Sequence, residues 1–149
     1  MTDWPDLSGR LVDGTHMLPV RVYYEDTDFT GVVYHANYLK FIERGRTDFL
    51  RLLGVHHSEL ADGKTGEALG FAVQSINVTY RRPARIDDVV EVRTATRSVT
   101  GARIVLDQRV FLGDTELVSA DVTIVVITLD GRLRRLPDFM RSAFERSIL

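Results

Sequence analysis

Hydrophobic and polar positions follow two different periods along the chain. After Pro19, apolar and polar side chains alternate with the period of two that is typical of a strand, which predicts a strand over 20–25. Later in the chain the same kind of pattern predicts four more strands, over 70–81, 88–98, 102–113 and 116–129. Turn-forming pairs at Thr100-Gly101 and Gly113-Asp114 separate the last three, which are therefore expected to form an antiparallel meander.

A single long helical pattern lies between the first strand and the others. Counting about 100° per residue from Tyr38, apolar side chains recur on one face of the helix. They are Phe41, Ile42, Phe49, Leu52 and Leu53. Asn37 is predicted to cap the start of this helix and Gly54 to end it. Gly45 lies inside the apolar face, where glycine costs ~1 kcal/mol relative to alanine, so a close contact with the sheet is expected there.

The element order indicates an α+β fold in which one long central helix is wrapped by a single antiparallel five-stranded β-sheet. A length of 149 residues favours one domain over 1–149, with an N-terminal arm over 1–15 and a C-terminal extension over 132–149. A short amphipathic helix in the extension is expected to pack back on the domain. Because one helix covers only one face of a sheet, we expect a homo-oligomer, either a dimer or a tetramer.

Composition removes several classes of function. The chain has no cysteine, which excludes disulfides, thiolate metal sites and a cysteine nucleophile. Its 19 basic and 21 acidic residues give a net charge of −2, which argues against nucleic acid as a partner. The longest apolar run, 122–129, predicts a buried central strand and is too short for integral membrane association. No secretory signal is visible at the start, so a cytoplasmic location is expected.

Residues with chemical capability are densest over 23–51. Asp26 and Asp28 lie in a loop before the long helix, and His35 lies at the helix start. A carboxylate that faces a helix N-terminus can attack or activate water while the unpaired amides hold a developing oxyanion. Aspartates also cap turns through their own backbone. Spacing alone favours a structural role for Asp26, leaves Asp28 open, and favours packing or capping for His35.

Four motifs of the chain match a known family: three lie within 23–51 and one lies later. They are YYEDTD at 23–28, GVVYHANY at 31–38, ERGR at 43–46 and YRRPARIDD at 80–88. Together they resemble the hot-dog-fold acyl-CoA thioesterases of the 4-hydroxybenzoyl-CoA thioesterase family, most closely the branch associated with the Tol-Pal cell-envelope system. The resemblance implies a hot-dog fold, with Asp28 as the catalytic carboxylate and His35 as its partner. Phe29-Thr30 departs from the branch, which has two small residues there, and could reshape the acyl pocket.

The implied reaction is hydrolysis of an acyl-CoA to a free acid and coenzyme A, without a metal or other cofactor. The leaving thiolate has a conjugate acid with a pKa of ~8.5, so one carboxylate and a few donors suffice. Asp28 acts as a general base on water or attacks directly to form an anhydride. His35 hydrogen-bonds the carbonyl or orients the water. The expected oxyanion donors are backbone amides at the helix start, from Tyr34, His35, Ala36 and Asn37.

The phosphates of coenzyme A require cations near the site. Residues 81–103 hold six arginines and three acids, and Arg82, Arg97 and Arg103 are the predicted substrate-binding residues. Solvent-facing strand positions are also often arginine for solubility alone. An acyl carrier protein is an alternative acyl donor.

Two other functions compete with hydrolysis. A hot-dog hydratase or dehydratase has Asn-Pro where this chain has Gly31-Val32-Val33, so that pattern is absent. A non-catalytic module that binds acyl-CoA or acyl carrier protein would not need Asp28 in an intact motif. A metal site built from the aspartates and histidines lacks a fixed ligand spacing.

Overall fold

The computed structural model describes residues 4–63 and 66–149. Seven strands form one sheet: β1 (Arg10–Val12), β2 (Thr15–Arg21), β3 (Leu69–Tyr80), β4 (Val89–Val99), β5 (Arg103–Leu112), β6 (Thr115–Thr128) and β7 (Leu133–Arg134). The helices are α1 (Asn37–Leu52), α2 (His57–Ala61) and α3 (Asp138–Glu145), with a 3₁₀ turn at Tyr24–Asp26. The fold is α+β, as the sequence predicts.

The strand order is β1-β2-β4-β5-β6-β3, with β7 paired to β6, and these strand pairs are antiparallel. The meander of β4, β5 and β6 is therefore confirmed. The expected count of five strands is wrong because the arm and the extension each add a short strand. In the arm, Arg10 pairs with Met17 of β2; in the extension, Leu133 pairs with Ile127 of β6.

The first predicted strand is placed too far along the chain, since β2 runs over 15–21 rather than 20–25. Pro19 lies inside β2. Strand β1 pairs only with residues 15–17 of β2, so among the described residues no strand lies beside Pro19 on the β1 side to need its missing N–H. The strand stops after Arg21, since the Tyr23 N–H donates to Asp26 Oδ2 at 2.8 Å and the chain enters the 3₁₀ turn.

Helix α1 packs on the sheet through the face that the sequence predicts. Phe41, Ile42 and Phe49 are buried, whereas Leu52, which the sequence also placed on this face, is 40% exposed because it lies in the last turn of the helix. A Cβ on Gly45 would lie 2.6 Å from Val92 Cγ1 of β4, which confirms the close contact expected at this glycine. The helix ends before Gly54, whose φ of +87° suits glycine.

The outer face of the sheet, opposite α1, is charged. Arg97 donates to Asp107 Oδ1 at 2.6 Å and to Asp121 Oδ1 at 3.1 Å, and Arg109 bonds both Asp107 and Glu116. Asp107 and Asp121 are direct cross-strand partners, so Arg97 offsets their repulsion. The ion pairs of this face compensate its own charges, and the expected homo-oligomer stays a prediction.

Helix α3 lies on the core, as expected for the extension. Met140 and Phe144 are buried, and the Phe144 ring centroid is 6.3 Å from those of Phe49 and Phe71. Of the helices in 4–63 and 66–149, none has the length and hydrophobicity needed to cross a bilayer.

We expect Gly45→Ala to destabilise the protein although alanine is the better helix former by ~1 kcal/mol. The new methyl would meet Val92 Cγ1 at 2.6 Å, and overpacking of a buried contact typically costs ~1–3 kcal/mol. Urea unfolding measures the change. Gly70→Ala is the control, because a Cβ there meets no atom within 4 Å. A Gly45→Ala protein as stable as the wild type would contradict the close contact.

Candidate active site

The loop between β2 and α1 is held together by Asp26. Its carboxylate Oδ2 accepts the Tyr23 N–H. Its backbone carbonyl accepts the Tyr34 N–H at 3.0 Å and the side-chain amide of Asn37 at 2.8 Å. Asp26 therefore links the beginning of the loop to the start of α1, the structural role that its spacing favours.

Asp28 lies in a tight turn that fixes its carboxylate. The Asp28 N–H donates to the Val32 carbonyl at 2.9 Å, and the Gly31 N–H donates to the Asp28 carbonyl at 3.0 Å. Gly31 has a φ of +86°, which the turn requires and glycine provides. Asp28 Oδ1 accepts two bonds from Thr30, from its N–H at 2.8 Å and its hydroxyl at 2.5 Å.

These bonds keep the carboxylate ionised and occupy only one of its two oxygens. The Thr30 hydroxyl bond, with smaller contributions from backbone N–H groups, holds the pKa of Asp28 below its ordinary value. Within 4–63 and 66–149, no group donates a hydrogen bond to Oδ2. Asp28 therefore presents one charged oxygen without a partner, which is the state that a base or nucleophile needs.

The start of α1 differs by one residue from the prediction. Ala36, not Asn37, occupies the N-cap position, and no side chain caps the helix. Asn37 is the first helical residue, because its side-chain amide donates to the Asp26 carbonyl instead of capping.

The predicted oxyanion donors divide into two pairs. The Tyr34 N–H is bonded to the Asp26 carbonyl, and the Asn37 N–H to the Tyr34 carbonyl at 2.8 Å. The amides of His35 and Ala36 have no acceptor in the part of the chain that the structure describes. They lie at the positive end of α1, where a negative oxygen is stabilised.

The His35 side chain borders an open pocket of about 230 Å³. Its ring centroid is 4.7 Å from that of Tyr34 and 5.9 Å from that of Tyr80, at the end of β3. The pocket is lined by Val33, His35, Tyr38 and 80–83. Its apolar walls lie beside the two free amides, which suits a thioester group.

The motif at 80–88, to which the sequence assigned no role in the site apart from Arg82, holds the loop in place. The Tyr38 hydroxyl accepts the Ala84 N–H at 2.9 Å, and the Ala84 carbonyl accepts the Val33 N–H at 2.9 Å. Val32 also forms a β-bridge with Arg85. The loop that carries Asp28 is therefore fixed to the connection between β3 and β4.

The three predicted substrate-binding arginines do not come together. Arg82 lines the His35 pocket. Arg97 lies on the outer face between Asp107 and Asp121. Arg103, at an outer-face position of β5, donates to Gln74 Oε1 at 2.9 Å.

Two side chains near Asp28 change the sequence interpretation. Arg85 was not selected, yet a Cβ on Gly31 would lie 3.9 Å from Arg85 Nη1, so its guanidinium lies beside the Asp28 turn. Phe29 is fully exposed and does not line the His35 pocket. The expectation that Phe29 reshapes the acyl pocket stays a prediction.

The chain is similar to several thioesterases. The model of the thioesterase-like superfamily matches residues 22–144. The chain is 40% identical over 130 residues to the acyl-CoA thioester hydrolase YbgC of Escherichia coli, covering 86% of this chain and 94% of the relative. It is 38% identical over 136 residues to the acyl-CoA thioesterase YbgC of Haemophilus influenzae, covering 90% and 97%.

A solved structure agrees with these relatives. The probable thioesterase from Bartonella henselae matches with a TM-score of 0.80 at 45% identity, covering 83% of this chain and 99% of that one. The chain therefore belongs to the thioesterase-like superfamily, and the protein is a thioester hydrolase. The family resemblance and the hot-dog fold are confirmed, and the Tol-Pal branch stays a prediction.

We expect Thr30→Val to move the acidic limb of the pH–activity profile to higher pH. The substitution removes the hydroxyl donor to Asp28 Oδ1, so the pKa of Asp28 rises toward its ordinary value. Because a base or nucleophile acts in its ionised form, activity that depends on Asp28 is then lost at a higher pH. The measurement is kcat/KM for a thioester from acidic to neutral pH.

Thr27→Val is the matched control for this change, since the Thr27 hydroxyl donates to the Tyr24 carbonyl and not to Asp28. Identical acidic limbs in wild type and Thr30→Val would show that Asp28 does not control the profile.

Proposed function

We propose that the protein hydrolyses acyl-CoA thioesters with Asp28 as the catalytic carboxylate. One observation carries the proposal: an ionised carboxylate with a free oxygen lies on the loop that leads directly into two unpaired amides at the start of α1. The names of the relatives from Escherichia coli and Haemophilus influenzae support acyl-CoA as the substrate.

The reaction needs a nucleophile and a site for negative charge. Asp28 either takes a proton from water, whose oxygen attacks the thioester carbon, or attacks that carbon itself to give an anhydride that water then cleaves. In both routes the carbonyl oxygen becomes negative and accepts hydrogen bonds from the His35 and Ala36 amides. Collapse of the tetrahedral intermediate breaks the carbon–sulfur bond and releases the thiolate.

The His35 imidazole has a second role in this proposal. It lies tilted against Tyr34 and edge-on to Tyr80 at the wall of the pocket. From there it hydrogen-bonds the thioester carbonyl or orients the attacking water. The His35 side chain therefore assists the attack on the thioester, while the His35 backbone amide supplies the main stabilisation of the negative carbonyl oxygen.

Arg82 and Arg85 are the cations best placed for the phosphates of coenzyme A. Arg82 lines the His35 pocket, and Arg85 lies beside the Asp28 turn. Arg97 is less suited, because two carboxylates already accept bonds from its guanidinium. An acyl carrier protein stays the alternative donor, since a phosphopantetheine arm presents the same thioester.

We also propose that two copies pair through β3. This strand of 12 residues ends the sheet order, so one of its edges has no neighbouring strand within 4–63 and 66–149. Val73 and Ile76 on this strand are 49% and 38% exposed. A long apolar edge strand pairs readily with another strand, and a second copy offers the same edge.

We expect Asp28→Asn to lower kcat by ~10²–10⁴-fold, the usual contribution of a positioned base. Asparagine keeps the size and the acceptor for Thr30, but it neither takes a proton nor attacks a carbonyl. The measurement is kcat on one well-hydrolysed acyl-CoA, with the melting temperature recorded for each variant.

Two variants serve as controls for this loss. Asp26→Asn keeps an acceptor for the Tyr23 N–H and should cost far less. His35→Ala keeps the backbone amide, so its effect should be intermediate. If folded Asp28→Asn retains more than about a tenth of the wild-type kcat, which is less than the weak end of general-base catalysis, Asp28 is a loop residue.

We expect Ile76→Lys to convert the oligomer into monomers and to lower turnover. Ile76 is near the centre of β3, where a two-fold axis would bring the two lysines close together. Sedimentation at micromolar concentration measures the oligomeric state. Val89→Lys, which changes a similarly exposed residue of β4, should leave the oligomeric state unaltered. A wild-type monomer with full activity would refute the pairing.

A further inference from the structure

A second cavity, of about 140 Å³, lies between α1 and the first half of β3. We call it the α1–β3 pocket. Its apolar walls come from Leu50, Phe71, Ala72, Val73 and Ile124. Its polar lining comes from Glu43, Arg46, Thr47 and His57. The reaction proposed above uses none of these polar side chains.

Arg46 is the unusual member of this set. It is half-buried, and its Nη1 donates to Gln108 Oε1 at 3.0 Å. Gln108 is fully buried and is itself fixed, because its Nε2 donates to the Ile42 carbonyl and to Thr94 Oγ1, both at 2.9 Å. The guanidinium is therefore held in one position by a polar network inside the core.

The charge of Arg46 is not balanced by an ion pair. Across 4–63 and 66–149, no carboxylate lies within ion-pair distance of its guanidinium. Only one of its five N–H donors is used by the described residues. Burial lowers the pKa of Arg46, with Glu43 acting in the opposite direction. A partly buried cation of this kind is stabilised by an anionic or acceptor group that enters its pocket.

The other polar groups leave room for a negative ligand. Burial, together with the charges of Arg51 and Arg46, lowers the pKa of His57, so this imidazole is neutral at neutral pH. Glu43 also lines the pocket, but its side chain is exposed and forms no ion pair with Arg46 among the described residues. The pocket therefore combines an apolar floor for methylene groups with one fixed cationic donor.

Along β3, the α1–β3 pocket and the His35 pocket lie towards opposite ends of the strand. Phe71 lines the α1–β3 pocket and Tyr80 lines the His35 pocket, nine residues further along β3. At ~3.3 Å per residue this separation is about 30 Å. In a dimer whose β3 strands pair along their full length, the centre of pairing lies between Gln74 and Ser75. Tyr80 of one subunit is then next to the start of β3 in the other.

We propose that the α1–β3 pocket receives the distal end of an acyl group whose thioester is cleaved by Asp28 of the other subunit, and that Arg46 binds a carboxylate at that end. The preferred substrates are then acyl-CoAs that end in a carboxylate rather than a methyl group. This inference rests on the proposed thioesterase function and on pairing through β3.

Matched substrates test the chemistry. We compare kcat/KM for succinyl- and butyryl-CoA, adipyl- and hexanoyl-CoA, and suberyl- and octanoyl-CoA. The wild type should prefer the carboxylate member of at least one pair by about tenfold, the scale of one charge-assisted hydrogen bond. Arg46→Met should abolish that preference and Arg46→Lys should retain part of it. Arg51→Met is the control, since Arg51 pairs with Asp48 and does not line the pocket, and it should keep the preference.

Mixed dimers test which subunit supplies Arg46. Asp28→Asn and Arg46→Met proteins are unfolded together and refolded in equal amounts. If the site combines Asp28 of one subunit with Arg46 of the other, each mixed dimer has one intact site. Random pairing then restores about a quarter of the wild-type activity on the preferred carboxylate substrate, above the sum of the two separate proteins.

The outcomes separate the two proposals. A wild type that hydrolyses no acyl-CoA overturns the proposed function. A wild type that hydrolyses acyl-CoAs without preferring a carboxylate, or whose preference survives Arg46→Met, overturns only the role of the pocket. A preference that depends on Arg46 without recovery in mixed dimers overturns the arrangement across subunits.

Discussion

The close contact between Gly45 and Val92 determines the distance between α1 and the sheet, and the candidate site depends on that distance. With a larger side chain at position 45 the helix would have to rise from β4. Its N-terminus would then move away from the connection between β3 and β4. The bond between the Tyr38 hydroxyl and the Ala84 N–H, which helps to hold the loop that carries Asp28, depends on this close approach of the helix to the sheet.

The same packing explains why a polar network is tolerated in the core. Gln108 lies under α1, where its amide reaches the Ile42 carbonyl and Thr94. These bonds satisfy buried groups that would otherwise be costly, and they connect the helix to β4 and β5. Arg46 extends the network to the surface of the helix. The helix is therefore held by directional bonds as well as by apolar area, which limits how far it can slide along the sheet.

Patterns that depend on near neighbours were readable in the sequence. The period of α1, the meander and the need for glycine at position 45 all follow from side chains a few residues apart. The turn chemistry of Asp26 was also readable. The partners of Arg97 were not, because Asp107 and Asp121 meet it only through the pairing of β4, β5 and β6. Asn37 was assigned to the cap because its competing acceptor, the Asp26 carbonyl, is visible only in the folded loop.

The turn around Asp28 separates a fixed position from a variable one. The bonds that orient the carboxylate come from Thr30, and those that close the turn come from the backbone of Asp28, Gly31 and Val32. The Phe29 side chain takes part in none of them and projects fully into solvent. Position 29 can therefore change during evolution without moving the carboxylate. A family built on this turn can diversify what approaches the loop while it inherits the same fixed carboxylate.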